Sequence, residues 1–420
     1  MARLLITFLG AARRGYDRMA YDFGGGEVRT ASYFASALLD HLLSMPGRRP
    51  TRLVVLGTTG SMWDDVLDSL ARPAADDEAG TNLFLALQQA GLEDRVDAKL
   101  LAALEPRLSA AVGIDVDLRL VSYAETADQA SDMVRLLASI VGRRDAVEFD
   151  ITHGLRHLAM LALFAAQVVE AIKDASVEGI WYGAREMSRG RAAAPVIRLD
   201  GLLAISRWVR ALAAFDAAGD LRHLAPLLTP DDTAAARRLE HAAFRERILR
   251  LGGTEDQFRG ALRAVARQDD PIVALFAPEL QRRLVWASEG TLSGRQHALA
   301  RIHLEAGDYV RAAVLGFEAT VTREMELEGA FSEEDLRNED ARSDFQRRIV
   351  NDSKEWRRSA KRRGDTDTLA WITAFHDLKE VRNAFAHAAP AEEPRVMNAL
   401  EEESRIRRFL ADAFDILLAD

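Results

Sequence analysis

The chain has 420 residues, 48% of them hydrophobic, with no cysteine and a formal net charge of −10. That length exceeds what one ordinary core organises and predicts two or three domains. The missing thiols exclude a disulfide framework, a cysteine nucleophile and thiolate metal sites. The net acidity excludes a general nucleic-acid coat but leaves room for a local phosphate site.

The N-terminal stretch Leu4-Leu5-Ile6-Thr7-Phe8-Leu9 is too short for a signal h-region and reads as a buried first strand from Arg3. No run of about 18 apolar residues could span a bilayer, so a cytoplasmic protein with no membrane partner is expected. Further strands are predicted at 52–56, 115–122, 146–151 and 177–182, alternating with helical spacing at 30–43, 127–140 and 157–172. This alternation predicts a parallel, Rossmann-like α/β sheet. Gly24-Gly25-Gly26 reads as a hairpin turn or mobile loop.

In such sheets ligands lie beyond the carboxyl ends of the strands. Those positions hold Gly10-Ala11-Ala12-Arg13-Arg14-Gly15-Tyr16, Gly57-Thr58-Thr59-Gly60-Ser61, Asp150-Ile151-Thr152-His153-Gly154-Leu155-Arg156-His157 and Gly183-Ala184-Arg185. Glycines, hydroxyls and helix-start N–H groups can cradle an anion, although none of these loops has dinucleotide or P-loop spacing. The third loop supports three readings. Asp150 or Thr152 can simply cap the next helix. Asp150, His153 and His157 can hold a metal. An anionic ligand can attract the two His and Arg156 to a helix start whose dipole disfavours cations.

After residue 199 strand signals end. Helices are predicted at 202–215, 237–251 (closed by Gly252-Gly253), 299–305 and 309–327, the last two joined at Gly307-Asp308. A charged helix at 344–363 sets Lys354, Arg357, Arg358, Lys361 and Arg362 on one face, which is either a solvated surface or a phosphate track. The helix at 369–388 carries Arg382-Asn383-Ala384-Phe385-Ala386-His387, and Pro390 stops it. Asn383 and His387 share a helix face, whereas Arg382 and His387 stand about 140° apart. One copy therefore makes a poor closed site, and two copies about a two-fold axis would line one cleft.

Asp150-Ile151-Thr152-His153-Gly154 matches the Asp-x-Thr-His-Gly signature of CRISPR-associated proteins of type III systems. Phe8-Leu9-Gly10, Tyr16, Tyr21 and Leu56-Gly57-Thr58 with Ser61 and Trp63 resemble the other loops of that group, and Arg382-Asn383-x3-His387 fits the HEPN hallmark. The chain thus resembles the CARF–HEPN ribonucleases. The resemblance implies an α/β Rossmann-like CARF domain at 1–200 and a helical region at 201–420 that includes an all-α HEPN domain with its core at about 290–420.

It also implies a cyclic oligoadenylate activator, with the tetra-adenylate ring as the expected form. Gly10, Ala11, Thr58, Thr59, Ser61, Asp150, Thr152, His153, Gly154 and Arg156 would bind it. Asp150 would orient its loop rather than touch phosphate, since two anions repel. Arg382, Asn383 and His387 would cleave single-stranded RNA without a metal or other cofactor, in a homodimer or higher even oligomer. The alternatives are a nucleotide-sensing dimeric module with a non-catalytic HEPN domain, and a sensor that also degrades its own ligand.

Overall fold

A computed structural model describes residues 1–11, 15–267, 269–388 and 390–418. The chain divides into two compact units, Met1–Ser206 and Arg207–Asp420.

The first unit contains β1 (Arg3–Leu9), β2 (Met19–Asp22), β3 (Val28–Ala31), α1 (Phe34–Ser44), β4 (Arg52–Gly57), α2 (Trp63–Ala71), α3 (Glu78–Leu92) and α4 (Ala98–Val112). It continues with β5 (Asp115–Leu120), α5 (Ala127–Ile140), β6 (Ala146–Asp150), α6 (Arg156–Lys173), β7 (Ser176–Gly183) and β8 (Ala194–Arg198). The division between units falls inside α7 (Asp200–Ala218). The eight strands form one sheet in the order β3-β2-β8-β7-β6-β1-β4-β5.

Strands β7, β6, β1, β4 and β5 are parallel, as the alternating pattern predicts. The expectation of a wholly parallel sheet is corrected at one edge. There β8 runs antiparallel to β7, and β2 and β3 form an antiparallel hairpin. The expected helix from Thr30 starts instead at Phe34, because 28–31 pair with β2 across the turn at Gly24-Gly25-Gly26. All three glycines adopt positive φ there, where a side chain would be strained.

Side-chain alternation along β1 divides the core. Leu5 and Leu9 pack with Phe34, Leu38, Leu67 and Leu104 on one face; Leu4, Ile6 and Phe8 pack with Leu137, Leu158 and Ala162 on the other. Each such buried aliphatic side chain contributes about 1.5–3 kcal/mol. Thr7 shares the face of Leu5 and Leu9, and it is fully buried.

The second unit is helical apart from short connections: α8 (Ala225–Leu228), α9 (Thr233–Arg247), α10 (Glu255–Arg267), α11 (Pro271–Leu284), α12 (Leu292–Glu305), α13 (Tyr309–Glu328), α14 (Glu339–Arg363), α15 (Thr366–His387), α16 (Pro394–Leu400) and α17 (Glu403–Leu417). Helix α9 stops at Arg247, not at the expected Gly252-Gly253, because Leu249 already takes a left-handed conformation with φ 61°. Helices α12 and α13 form the expected hairpin, and Gly316 in α13 lets the Phe414 ring of α17 lie on its backbone. Phe375 of α15 packs on Phe317 of α13 with ring centroids 5.5 Å apart. Ile372, Phe375, Leu378 and Val381 are fully buried, which fixes the rotation of α15 and hence the face that it turns outward. Among the described residues no helix is long and apolar enough to cross a membrane.

Candidate functional site

The loops at the carboxyl ends of β1, β4, β6 and β7 meet in the first unit. Gly10 and Gly154 make the closest approach: a Cβ on Gly10 would stand 2.8 Å from the Gly154 nitrogen. The Gly10 N–H donates to the Tyr16 hydroxyl (2.9 Å), and its carbonyl accepts from the Met62 N–H (3.0 Å). Gly154 itself has φ +101°, where a Cβ would meet Phe8. Ala11 is exposed at the edge of this junction; Ala12, Arg13 and Arg14 lie outside the described residues.

Thr58 and Ser61 take a different role from the ligand contact expected of them. Ser61 is 1% exposed; its hydroxyl donates to the Leu9 carbonyl (2.9 Å) and accepts from the Thr58 N–H (2.8 Å). The Thr58 hydroxyl shares that hydrogen-bond cluster at 3.0 Å. Both hydroxyls therefore shape the turn from inside. Thr59 is bound sideways to Asp94, which also accepts from the Tyr123 hydroxyl at 2.7 Å.

Asp150 is fully buried. One carboxylate oxygen accepts from the Thr7 hydroxyl (2.7 Å), the other from the Thr152 N–H (2.8 Å). Thr7 also meets the Tyr33 hydroxyl at 2.9 Å, and Thr152 accepts from the Gly183 N–H at 2.8 Å. This network ties β1, β6 and β7 together at their ends. Burial pushes the Asp150 carboxyl up to about 6, with the Thr152 and Thr7 hydrogen bonds opposing it.

His153 is 7% exposed and sits between Tyr16 and Tyr33, with centroids at 4.1 and 5.4 Å. Its Nε2 accepts from the Phe34 N–H at 3.1 Å. Burial, reinforced by Arg185, holds its pKa down to about 3, so the ring is neutral. His157 is turned to the Tyr123 carbonyl at 2.9 Å. Asp150, His153 and His157 are committed to three separate partners rather than gathered round one point. The expected capping of the next helix by Asp150 or Thr152 is corrected: α6 starts after Leu155 with no side-chain cap, because Asp150 is held by Thr7 and the Thr152 N–H and the Thr152 hydroxyl by the Gly183 N–H. Arg156 is exposed at the start of α6.

Arg185, at the end of β7, is not among the residues expected to bind. Its field acts on Tyr16, Tyr21 and His153, and its carboxylate neighbour Asp17, 3.7 Å away, is almost wholly exposed. The strand-end rule that picks out the other loops covers it equally.

A second site lies within the helical unit: a cleft of about 600 Å³ between α14, α15 and the segment leading into α16. Asn383 and His387 line it from α15 and Lys354 and Arg357 from α14. His387 is exposed on the last turn of α15. Glu380 accepts from the Glu393 N–H at 2.7 Å and from the Glu392 N–H, which folds that segment back over the helix.

Arg382 points elsewhere. Its guanidinium bonds the Asn383 side-chain oxygen (3.1 Å), lies over the Phe317 ring and stands 3.9 Å from Glu318. Of the five cations expected to follow RNA, only Lys354 and Arg357 reach the cleft; Arg358, Lys361 and Arg362 do not line it.

His376 and Lys379, which sequence spacing does not single out, line the same wall. His376 precedes Asn383 by seven residues, two turns on one face, and that interval is the signal that could have revealed it. The Ser353 hydroxyl donates to the Val350 carbonyl (2.7 Å), so the imidazole Nε2 donates to Ser353 at 2.9 Å.

Comparison with known proteins bears mainly on the first unit. Residues 4–186 match the CARF domain of the CRISPR system endoribonuclease Csx1. That match contains all four strand-end loops described above. CRISPR-associated protein MJ1674 of Methanocaldococcus jannaschii is 24% identical over 264 residues, 57% of this chain and 40% of that protein. The chain thus matches less than half the length of that relative. Among solved structures, Enterococcus italicus Csm6 bound to cyclic hexa-2'-fluoro-hexa-dAMP aligns over 99% of this chain and 93% of its own, at 9% identity and a TM-score of 0.37. At that score the likeness carries no functional argument. The sheet, the converging glycine loops and the Asp-x-Thr-His-Gly turn thus form a CARF domain of the kind found in the CRISPR-associated Csx1, followed by a helical region.

Proposed function

We propose that the protein is a cyclic-oligoadenylate-activated, metal-independent endoribonuclease that cleaves single-stranded RNA in CRISPR type III antiviral defence. The observation that carries this reading is the cleft, where an exposed imidazole and an amide from one helix face share about 600 Å³ with cations from the next helix. A CARF domain of a family described as endoribonuclease supports the gating half of the proposal.

The messenger would lie against the strand-end loops. Gly10, Ala11, Gly154 and the backbone beside Thr152 would admit its phosphates closely, and Arg156 and Arg185 would meet their charge. Tyr16, His153 and Tyr33 would support the floor. In the cleft, the RNA 2′-hydroxyl oxygen attacks the adjacent phosphorus and the P–O5′ bond breaks. The products are a 2′,3′-cyclic phosphate and a free 5′-hydroxyl. His387 handles the proton leaving the 2′-oxygen and the one reaching the 5′-oxygen. Asn383 orients phosphate or imidazole, and a guanidinium stabilises the phosphorane. Because Arg382 of the same chain turns toward Glu318, that guanidinium comes from a second copy. The nucleophile belongs to the substrate, so the mechanism calls for no metal.

The test is incubation of pure protein with labelled RNA in EDTA, with and without each cyclic oligoadenylate. Cleavage that needs the messenger and leaves cyclic-phosphate ends is expected. Tight messenger binding without cleavage at any ring size would leave a sensing module instead.

A further inference from the structure

The cleft has two ends. Ser353 meets His376, and α14 and α15 are joined by a tight turn at Gly364, so the two helices run antiparallel. Lys354 and Arg357 therefore lie level with the His376 end of α15, not with the His387 end. Eleven residues separate the two histidines, which at 1.5 Å per residue is about 16 Å along the axis, with both on the same face.

At the His376 end three cations act on one half-buried imidazole: Arg357, Lys379 and Arg395 all hold its pKa down, after burial itself, and only Glu393 opposes them. Arg395 is tied to Asp377 at 2.6 Å, and Glu380 is occupied by the backbone N–H groups of Glu392 and Glu393. That leaves Lys354, Arg357 and Lys379 as the cations available to a ligand in the cleft. A group with this chemistry, displaced from His387 along a continuous groove, suits a second phosphate of the same strand.

Resting on the ribonuclease reading above, we propose that Lys354, Arg357 and Lys379 form a distal phosphate subsite beside His376. It holds the RNA backbone about 16 Å from the bond being cut. At the stacked rise of about 3.4 Å per nucleotide the two ends span about five nucleotides, and fewer if the strand is extended. The enzyme therefore selects single strands long enough to fill both ends, and the subsite contributes to binding rather than to the chemical step.

The experiment compares a trinucleotide with a decanucleotide RNA at saturating cyclic tetra-adenylate, for the natural chain, Arg357→Ala/Lys379→Ala, Lys379→Ala and Lys379→Glu. The natural chain is expected to show a KM about tenfold lower for the longer RNA. The double variant loses that advantage while keeping kcat and its trinucleotide kinetics, and Lys379→Glu loses more than Lys379→Ala. Unchanged length discrimination, or an equal loss of kcat on both lengths, overturns the subsite. If no variant or natural chain cuts RNA with a cyclic oligoadenylate of any ring size, the ribonuclease reading itself has failed. Binding of fluorescent decanucleotide then tests the subsite alone. The double variant should bind more weakly, with its log–log salt slope shallower by about 1.4, or about 0.7 for each phosphate that is no longer neutralised. Equal affinity and slope reject it.

Discussion

Asp150 is a carboxylate with no exposure at all, held by a hydroxyl and an N–H rather than by a cation. Its folded pKa of about 6 lies above the ordinary value, so the folded state takes up a proton before the unfolded chain does. Stability from this group accordingly rises as pH falls from about 6 toward 4. His153, held down to about 3, has the opposite sign: below about 6.5 only the unfolded chain gains its proton, and stability is lost. The natural loop sets these two slopes against each other. Asp150→Asn keeps an acceptor for the Thr152 N–H and removes the charge. We expect this variant to gain up to about 3 kcal/mol over the natural chain at pH 7.5, the gain vanishing by pH 4. Denaturant unfolding at each pH measures the difference; a gain that does not change with pH would show that Asp150 is not the group that titrates. His387 is the contrasting residue, exposed at the rim of its cleft. His387→Ala should abolish RNA cleavage, a loss of at least about 100-fold, and leave messenger affinity unchanged. Full cleavage by this variant in EDTA would remove His387 from the mechanism. Sequence spacing picks out both residues but not their surroundings: the Thr7–Tyr33–Asp150 network joins positions up to 143 apart in the chain, and no local pattern encodes that.

At the scale of elements, long periodic segments are legible in the sequence and short ones are not. Strands β1, β4, β5, β6 and β7 and helices α5, α6, α13 and α15 carry continuous apolar runs or helical spacing, and these place the loops. The β2–β3 hairpin has four residues per strand and no clean alternation, so the helical spacing that follows extends back over β3. Thr58 and Ser61 read as ligand groups because a hydroxyl after a strand suits an anion equally well whether it faces outward or closes its own turn. The glycines of the junction permit a sharper test. Gly154→Ala adds a Cβ at 3.0 Å from Phe8 in a left-handed conformation, whereas Gly24→Ala meets only the backbone strain, with nothing within 4 Å. We expect Gly154→Ala to destabilise the protein by about 1–3 kcal/mol, more than Gly24→Ala does, and also to weaken messenger binding. Thermal unfolding and calorimetric titration of both variants measure this. Equal effects on affinity would show that the β1–β6 junction does not shape the messenger site.

At the scale of the whole molecule, a site shared between two copies makes a sharp prediction about which chain supplies each catalytic group. Arg382 and His387 stand about 140° apart on one helix, and in the structure the guanidinium reaches for Glu318 while the imidazole lines the cleft. If catalysis joins Arg382 of one copy to His387 of another, each site is composite, and two inactive variants should rescue each other. A dimer of one Arg382→Ala chain and one His387→Ala chain contains one intact site, with Arg382 from the second and His387 from the first, and one doubly damaged site. Random exchange in an equal mixture makes half the dimers mixed, each with half its sites working. Activity should therefore recover to about a quarter of the natural level, from near zero in either variant alone. Should each chain use its own Arg382 with its own His387, no mixture contains an intact site, and activity stays near zero at every ratio. Cleavage rates across mixing ratios, after subunit exchange and at saturating messenger, separate the two arrangements, because the composite case gives a maximum at equal mixing and the single-chain case a flat line.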